Sequence, residues 1–264
     1  MPPATADASA SLAPLGDTAA TVMTVSDNIA RLRQTGERLP DDLRAALLAD
    51  GPALVDELLA IVVDDDLTLE DAPGGGWPPI HAVELLAEIG SPKGMEILLE
   101  ALLRTGWDSI LHDRLMSRLP AFDAHILEPA LAALAAAEDP DQRQSICAVL
   151  SGLRVRDDRV FDALLPLLDE EVMTGVLYLS EYGDPRALPY VEKAFRAYEP
   201  DVTSPVAIMD LNEFAHAYEQ LGGVLPADLV TKVAKLRARA AAHAEAARTA
   251  AAPKAATKVG RNDP

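Results

Sequence analysis

From about Ser26 to Gly223 the chain alternates stretches of 10–16 residues, in which apolar side chains recur every three or four positions, with short polar breaks. That spacing predicts amphipathic helices, and no segment keeps a period of two long enough to predict a strand. The stretch "DPRALPYVEKAF" shows the local logic. Asp184 is placed to cap a helix N-terminus, Pro185 suits the first helical position, and Leu188, Val191 and Phe195 follow on one face. The pattern predicts an all-α fold.

The helices also repeat. "AVELLAEIGSPKGMEILLEAL" (82–102) lies on "GVLYLSEYGDPRALPYVEKAF" (175–195), each with an apolar helix closed by Gly90 or Gly183 and a second opened by Ser-Pro or Asp-Pro. Looser copies cover 111–134 and 145–168, and their turns, near residues 120 and 155, lack the Gly-x-Pro sequence. An earlier pair at 43–62 stands apart, beyond the loop "DDDLTLEDAPGGGWPP", the one place where the array could divide. A period of roughly 30 residues suits a helix–turn–helix unit that buries its apolar face only by stacking on its neighbours. The expectation is an α-solenoid of about four to five stacked units.

Helix pairs joined by "G-[DS]-P" resemble HEAT repeats, particularly the short kind first associated with phycobilisome lyases; the resemblance covers residues 78–199 and, more loosely, 40–63. It implies a right-handed superhelix. The stretch "GWPPIHAVELLAEIGSPKGMEILLEALL" is also similar to a bacterial helical family whose members often end in a SEC-C motif, a small zinc-binding tail also found on the SecA motor. The last seven residues, "KVGRNDP" (Lys258–Pro264), are similar to the lead-in of that motif. In the family the zinc ligands follow in Cys-Pro-Cys-Gly-Ser-Gly, so zinc is expected only if such a tail followed Pro264. No cofactor is expected within the 264 residues themselves. Natural loss, trimming and an in-frame stop at the first ligand codon would each leave such a stub.

Both ends depart from the periodic pattern. Residues 1–24 are small, Pro-containing and aperiodic, which predicts disorder. Residues 25–225 form the expected helical body. Residues 226–252 predict a closing helix with Leu229, Val233 and Leu236 on one face, and 253–264 a disordered basic linker.

Charge narrows the choice of partner. The chain carries a net charge of −19, which excludes a general nucleic-acid binder because phosphate is repelled. Eight basic residues against one acidic residue between Lys232 and Asn262 leave about −26 on the remainder, so an acidic body carries a basic tail. Such a body favours a protein partner with a basic surface. The lone Cys147 excludes a disulfide framework and fits a reducing compartment. Met1-Pro2-Pro3 does not open a secretory signal, and the longest apolar runs, such as "LLAIVV" (58–63), fall far short of a membrane span. The expected location is cytoplasmic, with neither nucleic acid nor membrane as partner.

Candidate chemistry is sparse. His81, His112, His125, His216 and His243 form no zinc-binding spacing. Cys147 sits within the apolar "SICAVLSGL", where a thiol is a small core residue. The "GGG" at 74–76 has no Gly-Lys-Ser/Thr sequel and follows no strand. The acidic runs lack calcium-loop spacing. The reading is therefore not an enzyme. Two aromatic groups are candidates for a partner-binding surface. "WPPIH" places Trp77 and His81 at the lip of a groove or in a packing cluster at a helix start. "EYGDPRALPYVEKAFRAYEP" holds three of the five tyrosines, Tyr182, Tyr190 and Tyr198, as a recognition surface or as gap fillers between helices. The expected function is a non-enzymatic interaction scaffold or adaptor. Resemblance to SEC-C carriers points it toward ribosome, nascent chain or export machinery. The alternatives are a lyase-like enzyme holding a small molecule and a homo-oligomeric scaffold.

Overall fold

The computed structural model describes residues 24–204 and 206–251, and among these it is helical throughout, with no strand. The expectations for 1–23 and 252–264, including "KVGRNDP", lie outside the described residues. The helices are α1 (Val25–Leu32), α2 (Asp41–Asp50), α3 (Val55–Val62), α4 (Trp77–Ile89), α5 (Met95–Arg104), α6 (Ile110–Arg118) and α7 (Ala124–Ala136). They continue with α8 (Pro140–Ser151), α9 (Asp158–Leu164), α10 (Leu167–Glu170), α11 (Val172–Tyr182), α12 (Leu188–Ala197), α13 (Ala207–Gln220) and α14 (Ala227–Ala251).

The terminators act as their chemistry requires. Gly90 and Gly183 close α4 and α11 in the left-handed region, at φ 65° and 67°, where a residue with a Cβ is disfavoured. Asp184 then accepts the Arg186 N–H at 2.9 Å, with Pro185 at the first position, and Val191 and Phe195 of α12 are fully buried. In the copy over 145–168 the stretch "DRVFDALLPLL" is split into α9 and α10. Pro166 has no N–H to donate and cannot continue α9, so the chain restarts one turn later.

Packing follows the order of the pairs. The first helices of successive pairs, α2, α4, α6, α8, α11 and α13, each touch the next, and α3, α5 and α7 do the same in a second row. Across the 64–77 loop α3 packs directly on α4, so the loop does not divide the chain. The buried apolar side chains form one core from Leu32 of α1 to Leu236 of α14. The last helix is tied in at its start, where Lys232 Nζ donates to the carbonyls of Phe195, Arg196 and Tyr198 at 3.2, 2.9 and 2.5 Å. A cation at three open carbonyls offsets the negative end of α12. Beyond Leu236 the described side chains of α14 are exposed or half-buried.

Neighbouring pairs are joined by contacts between residues about 30 apart, the separation expected of stacked pairs. Glu84 meets Arg114 at 2.6 Å, Glu128 meets Arg159 at 2.6 Å, and Arg186 meets Asp158 at 2.8 Å. Arg156 donates to the carbonyls of Tyr182 and Gly183 at the end of α11. Asp123 carries the link without a glycine. Its φ is 47°, and its Oδ1 accepts the N–H groups of Arg154 and Val155 at 3.0 and 3.1 Å. One carboxylate thus satisfies two backbone donors in the next turn. Asp123→Ala is expected to cost about 1–3 kcal/mol, since both donors lose their acceptor. Asp123→Asn should recover most of this, because its amide oxygen also accepts and Asn tolerates positive φ. Urea denaturation of the three proteins is the measurement, and an Ala variant as stable as the parent would refute the role.

Candidate partner-binding surface

The sequence-selected aromatics fall into three separate places. His81 opens the second turn of α4 and is 7% exposed; its Nε2–H donates to the Gly36 carbonyl at 2.8 Å. The half-buried Trp77 ring lies 6.2 Å from the imidazole at 27°. This pair pins the α1–α2 loop to the start of α4, and its polar atom is already spent. Tyr182 is 1% exposed. Its hydroxyl accepts the Asp157 N–H at 2.7 Å and lies 3.2 and 3.1 Å from the carbonyls of Val155 and Asp157, while the Arg156 guanidinium covers the ring at 4.8 Å. It locks the α8–α9 turn to the end of α11.

Tyr190 and Tyr198 come together. Both line an open groove of about 610 Å³ over α10, α11 and α12, floored by Leu165, Leu168, Val172 and Ala194 and edged by Asp169, Lys193 and Glu199. Tyr190 is 45% exposed and meets Phe161 edge-on at 6.3 Å. Tyr198 is held in place: its hydroxyl donates to the Asp210 carboxylate and its ring packs on Phe214 at 5.1 Å. Burial, and then that charged acceptor, push its phenol up to about 12, so it is a neutral donor at physiological pH. One ordered and one exposed tyrosine over an apolar floor can hold an apolar side chain and accept or donate at its edge.

A second trough, of about 670 Å³, lies between α5 and α7 and is lined by no aromatic side chain. Leu99 and Leu103 face Pro129 and Ala133 across it, with Glu96, Glu100 and Glu128 on its rims. A signal was present in the sequence. "ILEPALAALAAA" has Glu128 as its one polar residue, so its apolar surface runs beyond the single face that a helix covered on one side needs.

Of the remaining titratable candidates, His112 and Cys147 are spent in packing. His112, 2% exposed, donates Nδ1–H to the Thr105 carbonyl at 3.0 Å and presents Nε2 to Ser145 Oγ at 3.4 Å beneath Trp107. Ser145 gives its hydroxyl proton to the Asp141 carbonyl at 2.9 Å, so the pair is not a nucleophile on its base. His125, His216 and His243 are exposed. Cys147 is buried, and burial pushes its thiol up to about 11, the inert direction. Among the described residues no three His, Cys, Asp or Glu side chains gather as metal ligands, and no helix is long and apolar enough to cross a membrane.

No family model matches the chain. A comparison with curated proteins also finds no match.

Proposed function

We propose that this chain is a HEAT-like α-solenoid that works as a non-enzymatic scaffold or adaptor, holding a protein partner with a basic surface in the open grooves between its helices. The solenoid reading is supported by the row of first helices that touch in order and by ion pairs between residues about 30 apart. The observation that carries the binding reading is the groove in which Tyr190 and Tyr198 meet over an apolar floor. An interaction surface spends an exposed aromatic in this way, whereas gap filling would bury Tyr190. The resemblance of "KVGRNDP" to SEC-C carriers directs the search to the cytoplasm, and there to ribosome, nascent-chain and export fractions.

The test is partner capture with the full chain and with a variant carrying Tyr190→Ala and Ala197→Trp, which removes the exposed ring and fills the groove from an exposed helical position. Capture of a defined partner by the parent, reduced about tenfold or more in the variant, is expected. Recovery of no partner, or equal recovery by both, rejects the reading. A second copy of the chain is the alternative occupant, because an acidic body with a basic tail can associate head to tail. Light scattering on the purified chain separates that case.

A further inference from the structure

The α5–α7 trough differs from the tyrosine groove in that its chemistry specifies a partner. On α5, Leu99 and Leu103 stand four residues apart on the trough floor, with Glu96 and Glu100 at the same spacing along the adjoining rim. On α7, Pro129 and Ala133 form the facing floor, and Glu128 and Ala132 the facing rim. The two helices touch, so the trough is the valley over their contact. Small side chains on α7 let a third backbone approach to the 8–10 Å at which helices pack. The ten residues of α5 span about 15 Å, enough to seat three turns of a helix lying along it.

We propose that this valley receives an amphipathic helix from a partner, with apolar anchors at i, i+4 and i+7 and Lys or Arg along its flanks. The proposal rests on the scaffold reading and adds the chemistry of what is bound. Three carboxylates edge the valley against one cation, Arg104 at its far end, which meets Asp65 at 3.4 Å. Glu128 is shared with Arg159, so the acidic charge is concentrated on the Glu96–Glu100 rim. An apolar floor with an acidic rim matches the helix-in-groove mode, with the flank charges giving register. Phosphate-bearing partners are repelled by the same rim. The exposed half of α14 from a second copy carries alanines in place of large anchors, which makes it the poorer occupant.

The experiment is selection of a displayed library of helical peptides on the full chain, followed by affinity measurement of the enriched peptides by fluorescence anisotropy. Enriched sequences should carry the apolar i, i+4, i+7 stripe with net positive flanks. Their affinity should fall about tenfold or more on Ala132→Trp, which plugs the valley from an exposed position. The double variant Glu96→Lys, Glu100→Lys should reverse the flank preference, and the Tyr190→Ala, Ala197→Trp variant should bind the peptides as the parent does. Circular dichroism confirms that each variant is folded. Failure to enrich any sequence, enrichment without a charge bias, binding that survives Ala132→Trp, or competition by a second copy of the chain overturns the proposal. Partner capture that ignores Ala132→Trp but needs the tyrosine groove rejects this inference alone. Peptide binding without any captured partner rejects the scaffold reading and leaves the valley chemistry standing.

Discussion

Phe214→Ala is expected to lower stability by about 3–5 kcal/mol, the range for an aromatic removed from a core that cannot collapse into the space. Phe214 is fully buried on α13 and stacks on Phe195 of α12, with centroids 4.5 Å apart and planes 9° from parallel. Tyr198 leans on the same ring, and the Lys232 ammonium sits on the carbonyls just past Phe195. One side chain therefore joins α12 to α13, beside the carbonyls that hold α14. Its loss removes buried apolar area and the contact between stacked rings, worth about 0.5–1.5 kcal/mol more. Phe214→Leu, which keeps most of the volume, should cost less than the Ala variant. Denaturation in urea, followed by circular dichroism, gives the ranking. A Phe214→Ala protein within 1 kcal/mol of the parent would mean that α12 and α13 are not held through this ring. The same change frees Tyr198 and should weaken binding in the groove that it lines.

Gly175→Ala should destabilise, against the direction that helix propensity predicts. In an exposed helix interior this replacement gains about 1 kcal/mol, because alanine restricts the unfolded chain and favours the helix. Gly175 lies in α11, and a Cβ there would come within 2.5 Å of the Leu168 backbone nitrogen and 2.7 Å of the Leu167 carbonyl carbon. These are main-chain atoms of α10, which have no rotamer to yield. Either α10 moves or α11 does, and overpacking of this kind costs about 1–3 kcal/mol. The expected result is a net loss of stability together with faster hydrogen exchange across α10. A stabilised variant would show that α10 is free to shift. Leu168 and Asp169 belong to the tyrosine groove, so the change should also reshape that groove.

These two positions mark the limit of what could be read along the chain. Local chemistry was legible: the Gly-Asp-Pro turn at Gly183, the Asp184 cap, and the stripe that ends in Phe195 are all as their residue types require. The tyrosines were legible as a group but not as a surface. Tyr182 and Tyr190 are eight residues apart, yet Gly183 reverses the chain between them. Helical phase relates side chains only within one helix, so it could not say that Tyr182 turns inward while Tyr190 turns out. Asp123 offered no local sign that it would take a positive φ, because its reason for doing so is two N–H groups some thirty residues later.

The sequence by itself determined that the described body is helical, where the helices on either side of Gly90 and Gly183 stop and start, which residues supply the core stripes there, and that an acidic body carries a basic tail. Those properties depend on side chains within a turn or two of each other, or on summed charge, and neither needs a neighbour from elsewhere in the chain. Only the tertiary structure decided which stripes are covered and which stay open, that α10 presses its backbone on Gly175, and that α5 and α7 leave an acid-edged valley between them. Each of these is a distance between segments far apart in sequence, set by how unlike side chains fill a shared space, and the order of residues states no such distance.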